Sequence, residues 1–115
     1  MQLFGIANCD AVKRARTWLT QHGVAAVFHD FKKVGVPAEA LDRWIAAVGW
    51  QPLVNRQGST WRKLDAATQA GVVDAATAHA VMRAHPSLIK RPVVEWPGGV
   101  VTVGFDAERW AGLAR

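Results

Sequence analysis

The sequence predicts an α/β fold, a mixed four-stranded sheet with a helical insertion between its two halves. Three observations predict it. A short apolar run over residues 2–6 is followed by a stretch of helical period and then a second apolar run, the order of a β-α-β unit. Near the other end, two β-rich runs flank Pro97-Gly98-Gly99, a hairpin signal. Between these halves, residues 37–86 read as helices and irregular turns. Half of the 115 residues are apolar and a fifth are charged, so a disordered or collagen-like chain is excluded. A chain of this length is expected to form one domain, residues 1–115, large enough to fold without staples.

Each element follows from local chemistry. The first strand ends at Ala7-Asn8-Cys9, after which Val12, Ala15, Leu19 and His22 recur at helical spacing until Gly23 stops them. Residues 25–31 read as a second strand, followed by a turn over 32–36. Pro37 opens a helix whose buried stripe is Leu41, Trp44, Ile45 and Val48 and which ends at Gly49. Residues 51–64 read as a short helical turn, a loop and another turn capped by Thr60. Asp74 is a good N-cap for a helix through Ala84 with Ala78, Val81 and Met82 inward, ended by Pro86. Residues 93–96 and 100–103 form the hairpin strands, and Asp106 caps a closing helix containing Trp110 and Leu113. That order is the order of a thioredoxin-like fold.

Composition narrows the function class. A single cysteine, Cys9, excludes an internal disulfide and a zinc site built from several thiolates. His22, His29, His79 and His85 have no metal-ligand spacing, so no metal site is expected. The net charge of +5 suits an anionic small molecule or an acidic partner. The basic residues are dispersed, which argues against nucleic acid. No apolar run approaches the ~20 residues needed to cross a bilayer. The start of the chain reads directly into a strand without an export leader, so a cytoplasmic protein is expected.

Cys9 lies where the first strand hands over to the first helix, where unpaired N–H groups and the positive helix end favour a thiolate. The alternative is a small buried apolar side chain. Pro92, at the start of a strand, suggests either a special backbone turn such as a cis bond or an ordinary edge-strand proline. Arg91 beside it, and Arg56 in Leu53-Val54-Asn55-Arg56-Gln57-Gly58, are either anion-binding groups or solvated surface charges. Arg115 is expected to have no influence on the cysteine. Trp18, Trp44 and Trp110 occupy packing positions on helices, whereas Trp61, near the Arg56 loop, is a candidate ligand contact.

Cys9 at its junction, Arg56 in LVNRQG and Ile89-Lys90-Arg91-Pro92-Val93 together resemble the arsenate reductase (ArsC)/Spx family across nearly the whole chain. The phrases GIANCDAVKRARTWL, VFHDF, GSTWRKLD and LIKRP most resemble its YffB-type branch of glutathione-dependent reductases. The resemblance implies that Cys9 is the nucleophile, that Arg56 and Arg91 lower its pKa and hold substrate, and that Pro92 is the cis-proline beside the site. It implies that Lys13 keeps the positive charge that follows the cysteine. Arsenate reductases of this type carry a histidine four residues before the cysteine, a serine three after it and a third arginine after the hairpin. Here those positions are Gly5, Val12 and, on or near it, Gly104. Spx regulators often have a C-x-x-C pair, and Val12 takes its second position, which rules out an intramolecular redox switch.

The resemblance therefore implies a monothiol reductase that uses Cys9 on a disulfide or an oxyanion. Glutathione is the expected cosubstrate, with no bound cofactor and a glutaredoxin as a candidate partner. The alternatives it leaves are an arsenate reductase and a non-enzymatic Spx-like regulator that binds RNA polymerase.

Overall fold

A computed structural model describes residues 1–114; Arg115 lies outside the described residues. The described backbone groups into two compact units, one formed by Met1–Val34 with residues 91–114 and the other by Gly35–Lys90. The first holds the sheet and the second is the helical insertion, so the chain leaves the sheet unit after Val34 and returns at Arg91.

The sheet unit consists of β1 (Gln2–Gly5), α1 (Asp10–Gln21), β2 (Val27–Asp30), a short α2 (Phe31–Val34), β3 (Val93–Glu95), β4 (Val101–Val103) and α7 (Ala107–Leu113). Its strand order is β2-β1-β3-β4, with β1 parallel to β2 and the other pairs antiparallel. This is the mixed sheet of a thioredoxin-like fold. The hairpin turns through Gly98 and Gly99, at φ 88° and 91°, a region that residues with a side chain rarely adopt. Its core joins Leu3, Val12, Ala15, Leu19, Val94, Trp96 and Trp110. Trp110 is fully buried and meets Trp18, Trp96 and Phe105 edge to face, while the Trp96 indole N–H donates to the Thr102 hydroxyl at 2.9 Å.

The insertion contains α3 (Ala38–Val48), α4 (Ser59–Lys63), α5 (Ala66–Ala70) and α6 (Ala75–Ala84), with 3-10 turns over Gln51–Leu53 and Pro86–Leu88. Buried Leu41, Trp44, Leu53, Met82, Leu88 and Ile89 belong to its core. Asp74 caps α6 in a reciprocal box with Thr77, as its sequence position predicts. Among the described residues no helix is long and apolar enough to cross a membrane.

Several expectations are corrected. His22 is exposed and stacks on Trp18 at a centroid distance of 3.8 Å rather than extending the buried face of α1. β2 begins only at Val27, because the sheet's edge leaves Ala25 and Ala26 exposed, and the expected turn after it begins with the helical residues of α2. Ile45 and Val48 are half-buried, at the margin of a stripe centred on Ala40, Leu41 and Trp44. Pro37 is the N-cap of α3 rather than its first residue. Thr60 lies inside α4, whose N-cap is Gly58, so Thr60 caps nothing. α5 was not foreseen, although Asp65 caps it through the Thr68 N–H at 2.7 Å.

Candidate active site

Cys9 is the N-cap of α1, half-buried, with extended backbone angles. Its own N–H is bonded to the Ile6 carbonyl at 3.1 Å, and its carbonyl accepts from the Lys13 N–H at 2.9 Å. The backbone is thereby pinned on both sides. β1 stops after Gly5 and α1 cannot begin before Asp10, so the sulfur sits at the mouth of the first helical turn, where N–H groups have no helical partner.

Burial pushes the Cys9 thiol up, but the N–H of Val12, the hydrogen bond and charge of Arg91 and the N–H of Ala11 together outweigh it. The net result is a thiol held below its ordinary range.

Arg91 and Pro92 come from the segment that returns to the sheet. Arg91 is half-buried and faces Cys9. The Arg91–Pro92 bond is cis, Pro92 is fully buried, and its carbonyl accepts from the Gly104 N–H at 2.9 Å. The structure thus brings Cys9, Arg91 and Pro92 together. Lys13 is exposed on α1, beside a groove lined by Trp18 and Phe105, and is not among the groups that act on the thiol.

Three positions, Gly5, Val12 and Gly104, depart from the pattern of the resembled arsenate reductases, and the local packing and backbone account for them. A Cβ on Gly5 would lie 2.7 Å from Cγ2 of Val12, a separation that real side chains do not show. Gly5 and Val12 are therefore a size-matched pair, and the valine fills the space of the absent side chain. Gly104 has φ 84°, which disfavours any side chain there, including arginine.

Arg56 and Trp61 belong to the insertion. The Arg56 loop is pinned by the Val54–Ile89 bridge, by the Asn55 N–H donating to the Leu88 carbonyl at 2.9 Å, and by the Lys90 N–H donating to the Leu53 carbonyl at 2.8 Å. Arg62 donates to the Gln57 carbonyl at 2.7 Å, closing the loop against α4. Arg56 itself is exposed, its guanidinium carbon 5.9 Å from the centroid of Trp50 and 5.3 Å from that of Trp61. Trp50 was missed in the sequence; an aromatic residue shortly before the loop's arginine was the available signal.

The strand order and the cysteine at the β1–α1 junction define a thioredoxin-like α/β protein with a single-cysteine site. The chain belongs to the ArsC family, whose profile matches residues 4–113. It is 35% identical over 108 residues to an uncharacterized protein of Haemophilus influenzae, covering 94% of this chain and 93% of that one. Its structure is similar to that of a YFFB protein, with 49% identity, a TM-score of 0.93 and coverage of 99% and 98%. An arsenate reductase (ArsC) related protein from Brucella melitensis is 46% identical, with a TM-score of 0.74 and coverage of 96% and 91%.

Proposed function

We propose that this chain is an oxidoreductase that reduces glutathione-linked disulfides through Cys9 alone. The observation that carries the reading is the placing of Cys9 as N-cap of α1, where the Val12 and Ala11 N–H groups and Arg91 draw its thiol below the ordinary range against the opposing effect of burial. The thiolate attacks the glutathione sulfur of a mixed disulfide, forming a Cys9–glutathione disulfide and releasing the other thiolate, which takes a proton from water. With no second cysteine in the chain, a second glutathione thiolate then attacks the same glutathione sulfur. Glutathione disulfide leaves and Cys9 returns as a thiolate. Arg91 stabilises that leaving group. Lys13 offers positive charge to the carboxylates of glutathione, Pro92 lies next to Arg91 in the chain, and Arg56 is read from the family resemblance as a further substrate-binding cation. A glutaredoxin is a candidate partner in a cytoplasmic setting.

The site favours a disulfide over arsenate. A tetrahedral oxyanion needs several donors converging as charge develops, and loss of one such donor commonly costs about 10²–10³ in rate. Val12 and Gly5 have closed the space of two polar partners, and Gly104 disfavours the third. A glutathione disulfide asks less of the pocket, because its own thiolate leaves readily.

Incubation with glutathione disulfide, followed by intact-mass measurement, tests the reading. A gain of one glutathione, absent from Cys9→Ser, is expected. An unchanged mass at neutral pH would sink it and turn attention to binding of RNA polymerase without chemistry.

A further inference from the structure

We propose that Trp50 and Trp61 are positioning residues for Arg56, holding its guanidinium by their ring faces so that its N–H edge stays free for an anionic group of the substrate. The inference rests on the reading of Arg56 as a substrate-binding arginine. Both rings lie within the roughly 6 Å at which a cation is attracted to an aromatic face, at 5.9 and 5.3 Å from the guanidinium carbon.

The backbone around Arg56 is fixed by bonds of the loop, but the arginine side chain is long and exposed and would otherwise sample many rotamers. Among the described residues of its unit no carboxylate is paired with it. A carboxylate would fix the guanidinium by occupying the donors that an anionic substrate needs. An aromatic face attracts the same cation through its π-system and accepts none of the in-plane N–H bonds that an anionic group would take.

Both rings are themselves placed. Trp61 lies in α4, its carbonyl accepting from the Gln69 side-chain amide at 2.8 Å. Trp50 follows Gly49, whose φ of 81° turns the chain out of α3, and its carbonyl accepts from the Leu53 N–H at 3.2 Å. Arg56 is thus met by one side chain from the cap of the Gln51–Leu53 turn and one from the middle of α4. Trp61 acts through the arginine rather than as a stacking surface for substrate.

The test is a double-mutant cycle on the full chain, with the mixed disulfide of glutathione and mercaptoethanol as substrate. Trp61→Leu and Trp50→Leu should each lower kcat/KM by about two- to fivefold, the scale of one exposed cation–π contact. The loss should fall in KM, and Trp61→Phe should restore most of the activity. In an Arg56→Ala background neither leucine variant should cause further loss. Matching unfolding midpoints identify variants that have kept their fold, and Trp61→Met, which fills space without an aromatic face, carries the comparison where Trp61→Leu has not. A normal Arg56→Ala enzyme would refute both the reading of Arg56 and this inference. A slowed Arg56→Ala enzyme beside normal Trp50→Leu and Trp61→Leu variants, or equal leucine losses in both backgrounds, would refute the inference alone.

Discussion

Gly5→Ala should destabilise the protein and disturb Cys9, although it adds only one methyl group to a strand. The new Cβ would stand 2.7 Å from Cγ2 of Val12, where ordinary contact begins at 3.4 Å, so something must move by several tenths of an ångström. Val12 is fully buried on α1 and packs with Leu3, Ala15 and Leu19, which leaves its methyl little room to retreat. Overpacking of a tight core costs about 1–3 kcal/mol. For a chain of this size that corresponds to a fall in unfolding midpoint on the order of 5–15 °C. Val12→Ala alone should cost about 1.5–3 kcal/mol through lost burial and a cavity. In the double variant the clashing methyl is gone, so the two costs should fall short of additivity by about 1–3 kcal/mol. Urea unfolding of the four proteins measures this coupling, and alkylation of Cys9 reports whether the Val12 N–H still reaches the sulfur. A neutral Gly5→Ala, or strict additivity, would refute the size-matched pair and with it the explanation of the missing polar partners.

Arg91→Ala should raise the Cys9 pKa and slow alkylation at neutral pH, since both the hydrogen bond and the charge of Arg91 favour the thiolate; a parental titration curve would count against that role. Cys9 has its folded pKa below its unfolded one, so its contribution to stability is present above the unfolded value and lost as pH falls through the folded one. Urea unfolding should therefore show stability rising between those two values in the parent and flat over the same interval in Cys9→Ser. Asp74→Ala should lower the unfolding midpoint at neutral pH by removing the α6 cap, and the deficit should shrink below the carboxylate range, because the Thr77 backbone and hydroxyl hold the Asp74 carboxyl below its ordinary value. Arsenate offered with glutathione and glutaredoxin should be reduced negligibly while a glutathione mixed disulfide is turned over; robust Cys9-dependent arsenate reduction would reverse the ranking.

Where local chemistry decides an element, sequence was enough. Asp74-Ala75-Ala76-Thr77 supplies both halves of a capping box, and Pro86 bars the continuation of α6. Asp65-Ala66-Ala67-Thr68 is the same tetrapeptide, yet α5 escaped notice because it lasts little more than one turn and has no buried residue to give a period. The apolar run over residues 25–31 overstates β2 because Ala25 and Ala26 are exposed ahead of the strand and Phe31 already belongs to α2. Cys9 was legible because a strand-to-helix junction is itself a local feature. Its pairing with Arg91 joins distant parts of the chain, so periodicity could not supply it; family resemblance did. The Trp50–Arg56–Trp61 arrangement depends on a 3-10 turn and a pinned loop, neither of which leaves a period in the sequence.

On the proposed function, Cys9 reacts as a thiolate favoured by the N–H groups of the α1 N-terminus and by Arg91. The rate of its alkylation by iodoacetamide as a function of pH tests this most directly. The expected inflection lies below the ordinary thiol value of about 8.5 and moves upward in Arg91→Ala. An inflection at or above about 8.5, unmoved by Arg91→Ala, would contradict it.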